Sequence, residues 1–247
     1  MSKYKGLNIV AMVPAKLGST RLAMKNLALI EGKPLIYYAI EAARAARIFD
    51  KIIVNAEDAL FEKIARRYGA DFYLRPRELV SPTTKTDTVM NDFLEKNPCD
   101  IVAWVSPIAP LQPALEVRRM VEYFVEEGLD TLMTVKDEQV HCVYEEKPVN
   151  YESDEIFAQT QDLEPVRAFV YSVMMWRAST FLDEFRRKGH AALCGKVGYF
   201  SVSKLSAVII KKQEDLMLAS CLMKLRDKEY KVKYDRIAND LIRRTER

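Results

Sequence analysis

Apolar and polar positions alternate along this chain with two different periods. A continuous apolar run from Leu7 to Val13, closed by Pro14, reads as a buried strand. Leu35, Ile36, Ala39, Ile40 and Ala43 then recur at helical spacing within Pro34–Ala46. The same reasoning predicts strands over Lys51–Val54, Asp71–Leu74, Asp100–Val105, Thr131–Val135, Phe169–Met175 and Ala207–Ile210. Helices are expected over Ala59–Tyr68, Thr86–Glu95, Leu115–Glu127 and from Glu214 to about Arg226, with the basic tail forming a solvated terminal helix. Strands that alternate with helices imply βαβ units. The fold class is therefore α/β, with a mostly parallel sheet covered by helices on both faces.

The pattern breaks between Lys136 and Pro165, a polar, acidic stretch without period. So long an irregular segment inside a compact domain is usually functional or reaches outward to a partner. The chain has 247 residues and no internal repeat, which suits a single domain over 1–247.

Composition removes several function classes. Lysine and arginine number 38 against 35 aspartates and glutamates, so the net charge of +3 points away from nucleic acid and membrane surfaces. Any basic patch has to be local. Cys99, Cys142, Cys194 and Cys221 lie far apart, and the only histidines are His141 and His190, so zinc-ligand spacing is missing. Reduced thiols, no leader and no apolar run of membrane length read as a cytoplasmic protein.

In parallel sheets, ligands bind beyond the carboxyl ends of strands. Past the first strand lies Pro14-Ala15-Lys16-Leu17-Gly18-Ser19-Thr20-Arg21-Leu22-Ala23-Met24-Lys25-Asn26. It lacks both the GxxxxGK[ST] and the GxGxxG pattern. Its cations Lys16, Arg21 and Lys25 offset an anion's charge, and Gly18 and Ser19 let backbone N–H groups come close. The loop reads as a phosphate site; the alternative is a solvated basic loop.

Continued through Gly32-Lys33-Pro34-Leu35-Ile36, this stretch resembles the opening PARxGSxRLPxKN and GKPLI blocks of the CMP-sugar synthetases. These are the acylneuraminate and 3-deoxy-manno-octulosonate cytidylyltransferases. Leu74-Arg75-Pro76-Arg77-Glu78-Leu79 is similar to their LRPAEL, and Pro107-Ile108-Ala109-Pro110-Leu111 to their PTSPL. Gln161-Asp162-Leu163-Glu164-Pro165-Val166 is similar to the QDLPPV of the acylneuraminate branch.

The resemblance implies a three-layer, Rossmann-like nucleotidyltransferase fold with a seven-stranded mixed sheet. It also implies a homodimer in which a protruding arm, residues 137–168, crosses to the partner. The implied reaction moves CMP from CTP to a 2-keto sugar acid such as sialic acid or Kdo, releases pyrophosphate and uses Mg²⁺. Nucleotide contacts then fall on Ala15, Lys16, Gly18, Ser19, Lys25, Asn26, Arg75, Thr84, Thr86 and Ser106, with Lys16, Arg21 and Lys25 catalytic. Gln112, Gln161, Tyr171 and Lys211 fall at acceptor positions. The alternative for Arg75 is an ion pair, and for Thr84 and Thr86 helix capping.

Departures from the family pattern cluster on the chemistry. Lys16 replaces an arginine, Ala23 a proline, Ser106 a glutamine and Gln112 an arginine. The asparagine-glycine of the family's NGAIY strand is Val170-Tyr171, and Tyr144 stands at a substrate-facing lysine. In the terminal DIDTxEDL motif, the two aspartates expected to hold Mg²⁺ are Ile209 and Lys211. Neither can ligate a hard cation. Glu57 and Asp58 remain as metal candidates, or as caps of the next helix. Three readings follow: an enzyme with altered acceptor and metal use, a nucleotide-binding homologue without turnover, or a cytidylyltransferase for another acidic alcohol such as a phosphonate.

Overall fold

β1 (Ile9–Pro14) buries side chains on both faces of a central sheet. Ile9, Ala11 and Val13 enter one apolar cluster, while Val10 and Met12 enter another. The computed structural model describes residues 3–81, 83–226, 229, 231–236 and 238. Its further sheet strands are β2 (Lys51–Ala56), β3 (Asp71–Leu74), β4 (Ile101–Val105), β5 (Thr131–Glu138), β6 (Val166–Arg177) and β7 (Val197–Ser201). They form one 7-stranded sheet in the order β7-β5-β6-β4-β1-β2-β3. β6 runs antiparallel to both its neighbours, and every other pairing is parallel.

Helices cover both faces. α1 (Leu35–Ala46), α2 (Leu60–Arg67) and α4 (Ala114–Glu126) bury Ile36, Phe61 and Phe124 against the Ile9 side. α3 (Thr86–Lys96) and α5 (Ala178–Lys188) bury Phe93 and Phe181 against the Val10 side, around Trp176. α6 (Gln213–Leu225) packs Ala219 with Ile30, Leu35 and Ile210. Two buried faces on one sheet give the three-layer architecture that the alternation predicts.

The elements expected before residue 177 are present, with ends displaced by a few residues. Two expectations past that point are corrected. Ala207–Ile210 is not a strand: its β-branched run meets no free sheet edge, and Ile210 instead donates its N–H to the carbonyl of Ile108 at 2.8 Å. The edge strand is β7, where a Cβ on Gly198 would lie 2.3 Å from Leu129 Cδ1, so a larger residue would have to displace that buried side chain. The helix expected for the tail beyond Arg226 falls largely outside the described residues.

The irregular stretch, expected between Lys136 and Pro165, begins two residues later. β5 and β6 stay paired out to Glu138 and Val166, so the excursion lies between those two residues. It contains a short antiparallel ribbon, Val143–Tyr144 with Lys147–Pro148. His141 stacks on Phe157 with ring centroids 3.9 Å apart, yet Phe157 and Ile156 remain 70% and 96% exposed.

Candidate functional site

Parallel pairing of β1 with β2 and β4 places their carboxyl ends at one edge of the sheet, where the basic loop begins. Several bonds hold that loop. Ala15 N–H continues the ladder to the carbonyl of Asn55 at 2.9 Å. Leu17 N–H donates to Glu57 Oε1 at 2.8 Å, and a guanidinium nitrogen of Arg75 donates to the carbonyl of Ala15 at 2.8 Å. Asn26, buried, donates from its amide to the carbonyl of Lys16 at 3.1 Å. Met24 adopts a left-handed conformation (φ 48°) and turns the chain into a 3-10 turn at Lys25–Leu27.

The braced loop walls a cleft of about 230 Å³. Ala15, Lys16, Ser19, Lys25 and Asn26 line it from β1's side. Arg75, Thr84, Thr86 and Ser106 close it from the loops after β3 and β4. All the residues expected to hold the nucleotide are thus brought together except Gly18, which does not line the cleft. A Cβ on Gly18 would meet open space, and its backbone is not left-handed, so neither packing nor φ demands a glycine there. No side-chain bond caps α3, so neither Thr84 nor Thr86 serves as its cap. Trp104 also lines this cleft. Sequence reasoning missed it because it reads as one more apolar residue of a buried strand.

A second cleft, about 740 Å³, adjoins the first and shares Lys25 and Ile108 with it. Arg21, Tyr171 and Lys211 line it, together with Lys136, Phe169 and Ile209. Lys136 lies near the carboxyl end of β5, so the strand-end rule that found the basic loop applies to it as well. Tyr171 has φ 60°, uncommon for a bulky residue, within a bulge where the β5–β6 register shifts between Phe169 and Met174. The bulge meets the first cleft directly: Ser106 N–H donates to the carbonyl of Ser172 at 2.9 Å.

Lys25 stands between the clefts. Its ammonium donates to the carbonyl of Ile210 at 3.2 Å. Burial, followed by the nearby charges of Arg21 and Lys16, draws its pKa below the ordinary 10.5, with Asp215 opposing. Like charges gathered in this way form a site suited to an anion.

Several expected roles are corrected. Gln112 does not line either cleft; its buried amide donates to Glu116, which also accepts from Ser203 N–H and Ser206 Oγ and so ties the 203–206 turn to α4. Gln161 sits on the excursion, outside both clefts of its own chain, where its carbonyl accepts from Gln139. Tyr144 projects from the ribbon, exposed. Arg75 is an ion-pair residue as well as a lining one, at 3.1 Å from Glu57.

The described carboxylates near the two clefts do not fit a Mg²⁺ site held by the protein alone. Glu57 is bound by Leu17 and Arg75, and Asp58 accepts from Leu60 N–H at 2.8 Å at the start of α2. Asp215 accepts the N–H groups of both Lys211 and Lys212 at 2.8 Å, and these bonds hold its carboxyl below the usual range. Among the described residues no group of three or more His, Cys, Asp or Glu converges for a metal ion.

Known proteins resemble this chain in sequence and in fold. The profile of a family described as "Cytidylyltransferase" matches residues 10–185. The N-acylneuraminate cytidylyltransferase of Escherichia coli O18:K1:H7 (strain RS218 / NMEC) is 38% identical over 110 residues, 44% of this chain and 25% of that protein. The CMP-N,N'-diacetyllegionaminic acid synthase of Legionella pneumophila subsp. pneumophila (strain Philadelphia 1) is 32% identical over 122 residues, 47% of this chain and 53% of that one. The chain therefore spans between about a quarter and about half the length of these curated relatives. Among solved structures, a CMP:2-keto-3-deoxy-manno-octonic acid synthetase complexed with CTP superposes with a TM-score of 0.67 at 15% identity, covering 89% of this chain and 99% of that one. The 4-diphosphocytidyl-2C-methyl-D-erythritol synthase of Anaerococcus prevotii DSM 20548 gives 0.60 at 14% identity, covering 88% and 98%.

Proposed function

This chain belongs to the cytidylyltransferase family, and we propose that it transfers CMP from CTP to a hydroxyl of a small acidic, sugar-like acceptor, with release of pyrophosphate. The observation that carries this reading is the shared wall: Lys25 and Ile108 line both the loop-bound cleft and the larger one beside it. A nucleotide in the first cleft and an acceptor in the second would meet at Lys25. The acceptor oxygen would bond to the α-phosphorus as the bridge to the β-phosphate breaks. Positioning and fixed positive charge supply most of the catalysis in such a displacement, and Lys25, Arg21 and Lys16 offer that charge.

Thr84, Thr86 and Arg75 offer polar groups around the base, while Ser19 and the loop backbone face the phosphates. The second cleft suits an acid, because Arg21, Lys136 and Lys211 line it. Phe169 and Tyr171 give it an aromatic wall, against which the C–H face of a sugar ring packs well. The names of the curated relatives, an N-acylneuraminate cytidylyltransferase and a CMP-N,N'-diacetyllegionaminic acid synthase, support sugar acids of that class as the first acceptors to try. We assign the excursion between Glu138 and Val166 to a homodimer contact, since it holds Ile156 and Phe157 largely exposed.

A second reading, a homologue that binds nucleotide without turnover, draws support from Ile209 and Lys211 standing where carboxylates are expected. Pyrophosphate release from CTP decides between the two. It is measured with a panel of 2-keto sugar acids and phosphonate alcohols, with and without Mg²⁺. Release with any acceptor supports the transferase. CTP binding without release across the panel favours the second reading.

A further inference from the structure

The two clefts are poor in carboxylates and rich in cations. Among the described residues, no aspartate or glutamate lines the first cleft, and only Glu138 and Asp215 line the second. Both are engaged, Glu138 by the ammonium of Lys136 and Asp215 by two backbone N–H groups at the start of α6. Ile209 lies half-buried on the main apolar cluster, which leaves no polar atom there except its backbone. Against this, Lys16 and Lys25 line the first cleft, and Arg21, Lys25 and Lys211 line the second. Neither Arg21 nor Lys211 forms an ion pair among the described residues. Cations held together without matching anions repel one another, and a polyanion placed among them relieves that repulsion.

We propose that Lys211 and Arg21, together with Lys25, neutralise the nucleotide's phosphates, in place of a divalent ion held on protein carboxylates. The proposal rests on the reading that a nucleoside triphosphate occupies the first cleft. The backbone favours the assignment of Lys211. Asp215 takes its N–H, which fixes the main chain at the mouth of the second cleft, and Lys25 takes the carbonyl of the preceding Ile210. The ammonium of Lys25 is thereby bonded to the same tied segment that carries Lys211. Each acts as a point charge on one or two oxygens and does not bridge several as a metal does, which is why more than one is needed.

Calorimetric titration with CTP, in EDTA and in Mg²⁺ at matched ionic strength, tests this. Affinity in EDTA should stay within about threefold of that in Mg²⁺, a difference well under one tenfold step. In EDTA, Lys211→Ala should weaken binding by about tenfold and Lys211→Arg should retain most of it, as expected for loss and retention of one charge-assisted contact. Lys211 is exposed, so these variants leave the core unchanged. Binding that is strong in Mg²⁺ and at least about tenfold weaker in EDTA overturns the proposal while leaving the nucleotide reading intact. So does a Lys211→Ala protein that binds as tightly as the parent in EDTA. Failure to bind CTP in either medium overturns both readings at once.

Discussion

Arg75 and Glu57 form an ion pair at 3.1 Å with side-chain exposures of only 5% and 11%, and the two partners grip the same loop. Arg75 holds the carbonyl of Ala15, while Glu57 holds the N–H of Leu17. The pair thus brackets Lys16 from both sides. Glu57→Gln keeps an acceptor for Leu17 but leaves the guanidinium buried without its counter-charge, which costs about 3 kcal/mol. Urea denaturation should show that loss, accompanied by weaker CTP binding. Unchanged stability would refute the bracing role.

Lys25 supplies a second prediction. Lys25→Ala should weaken CTP binding by about 1–3 kcal/mol, the range for a charge-assisted bond. The ammonium is the form that binds phosphate, and burial with Arg21 and Lys16 nearby lowers its pKa in the free protein. Affinity should therefore be full near neutrality and should fall as pH rises, beginning before the ordinary lysine value of 10.5 is reached. A calorimetric pH series checks the direction. In Lys25→Ala that alkaline decline should be much reduced.

Tyr171 carries a side chain where φ is 60°. A bulky residue held left-handed costs on the order of 1–2 kcal/mol. Tyr171→Gly should raise the thermal midpoint by relieving it, while weakening the acceptor's effect on pyrophosphate release. A glycine variant with parental activity and higher stability would show that the ring has no part in the second cleft.

Asp130 predicts an acid limit. Burial pushes its carboxyl upward, but this is outweighed by bonds from Lys196 N–H, Thr180 and Arg177, so the pKa lies below the ordinary value of 3.8. A depressed folded value means the stabilisation is complete above the unfolded pKa and disappears as pH falls through the folded one. Asp130→Asn should therefore lower stability by about 1–3 kcal/mol at neutral pH. The difference from the parent should shrink below roughly pH 3.9, where the unfolded aspartate takes up its proton. Denaturant midpoints across pH 2–7 measure both effects.

The excursion between Glu138 and Val166 gives a fifth test. Light scattering should find a dimer at micromolar concentration, and Ile156→Glu with Phe157→Glu should convert it to a monomer. A monomeric parent protein would remove the dimer assignment.

The sheet, its layering and most of the first cleft were legible because they rest on periodic apolar runs and on one basic loop at a strand end. Ala207–Ile210 misled because β-branched side chains favour a strand only where an edge is free to receive it. β7 was missed for the opposite reason. Gly198 weakens its pattern, and the close approach of Leu129 to it, like that of Asp130 to Gly195 just before the strand, is a contact that no local reading of the sequence supplies. Gln112 was misplaced because its partners, Glu116 and the 203–206 turn, depend on tertiary packing. The left-handed backbone at Tyr171 was equally hidden, since only the β5–β6 register shift creates it.

β1 is first in the chain yet lies inside the sheet, hydrogen-bonded to β2 on one side and to β4 on the other. During synthesis it must wait for Val105 to emerge before its second ladder can close. Until then, one edge of an apolar strand stays open to mispairing. The basic loop inherits this delay, because Lys25 is held by the carbonyl of Ile210 and the cleft it walls is closed by Ser106, both beyond Val105. An amino-terminal fragment ending before β4 would carry every residue of that loop and still have no site. Nucleotide added during refolding should therefore bind only after the sheet has closed, and would act as a late lock on the fold.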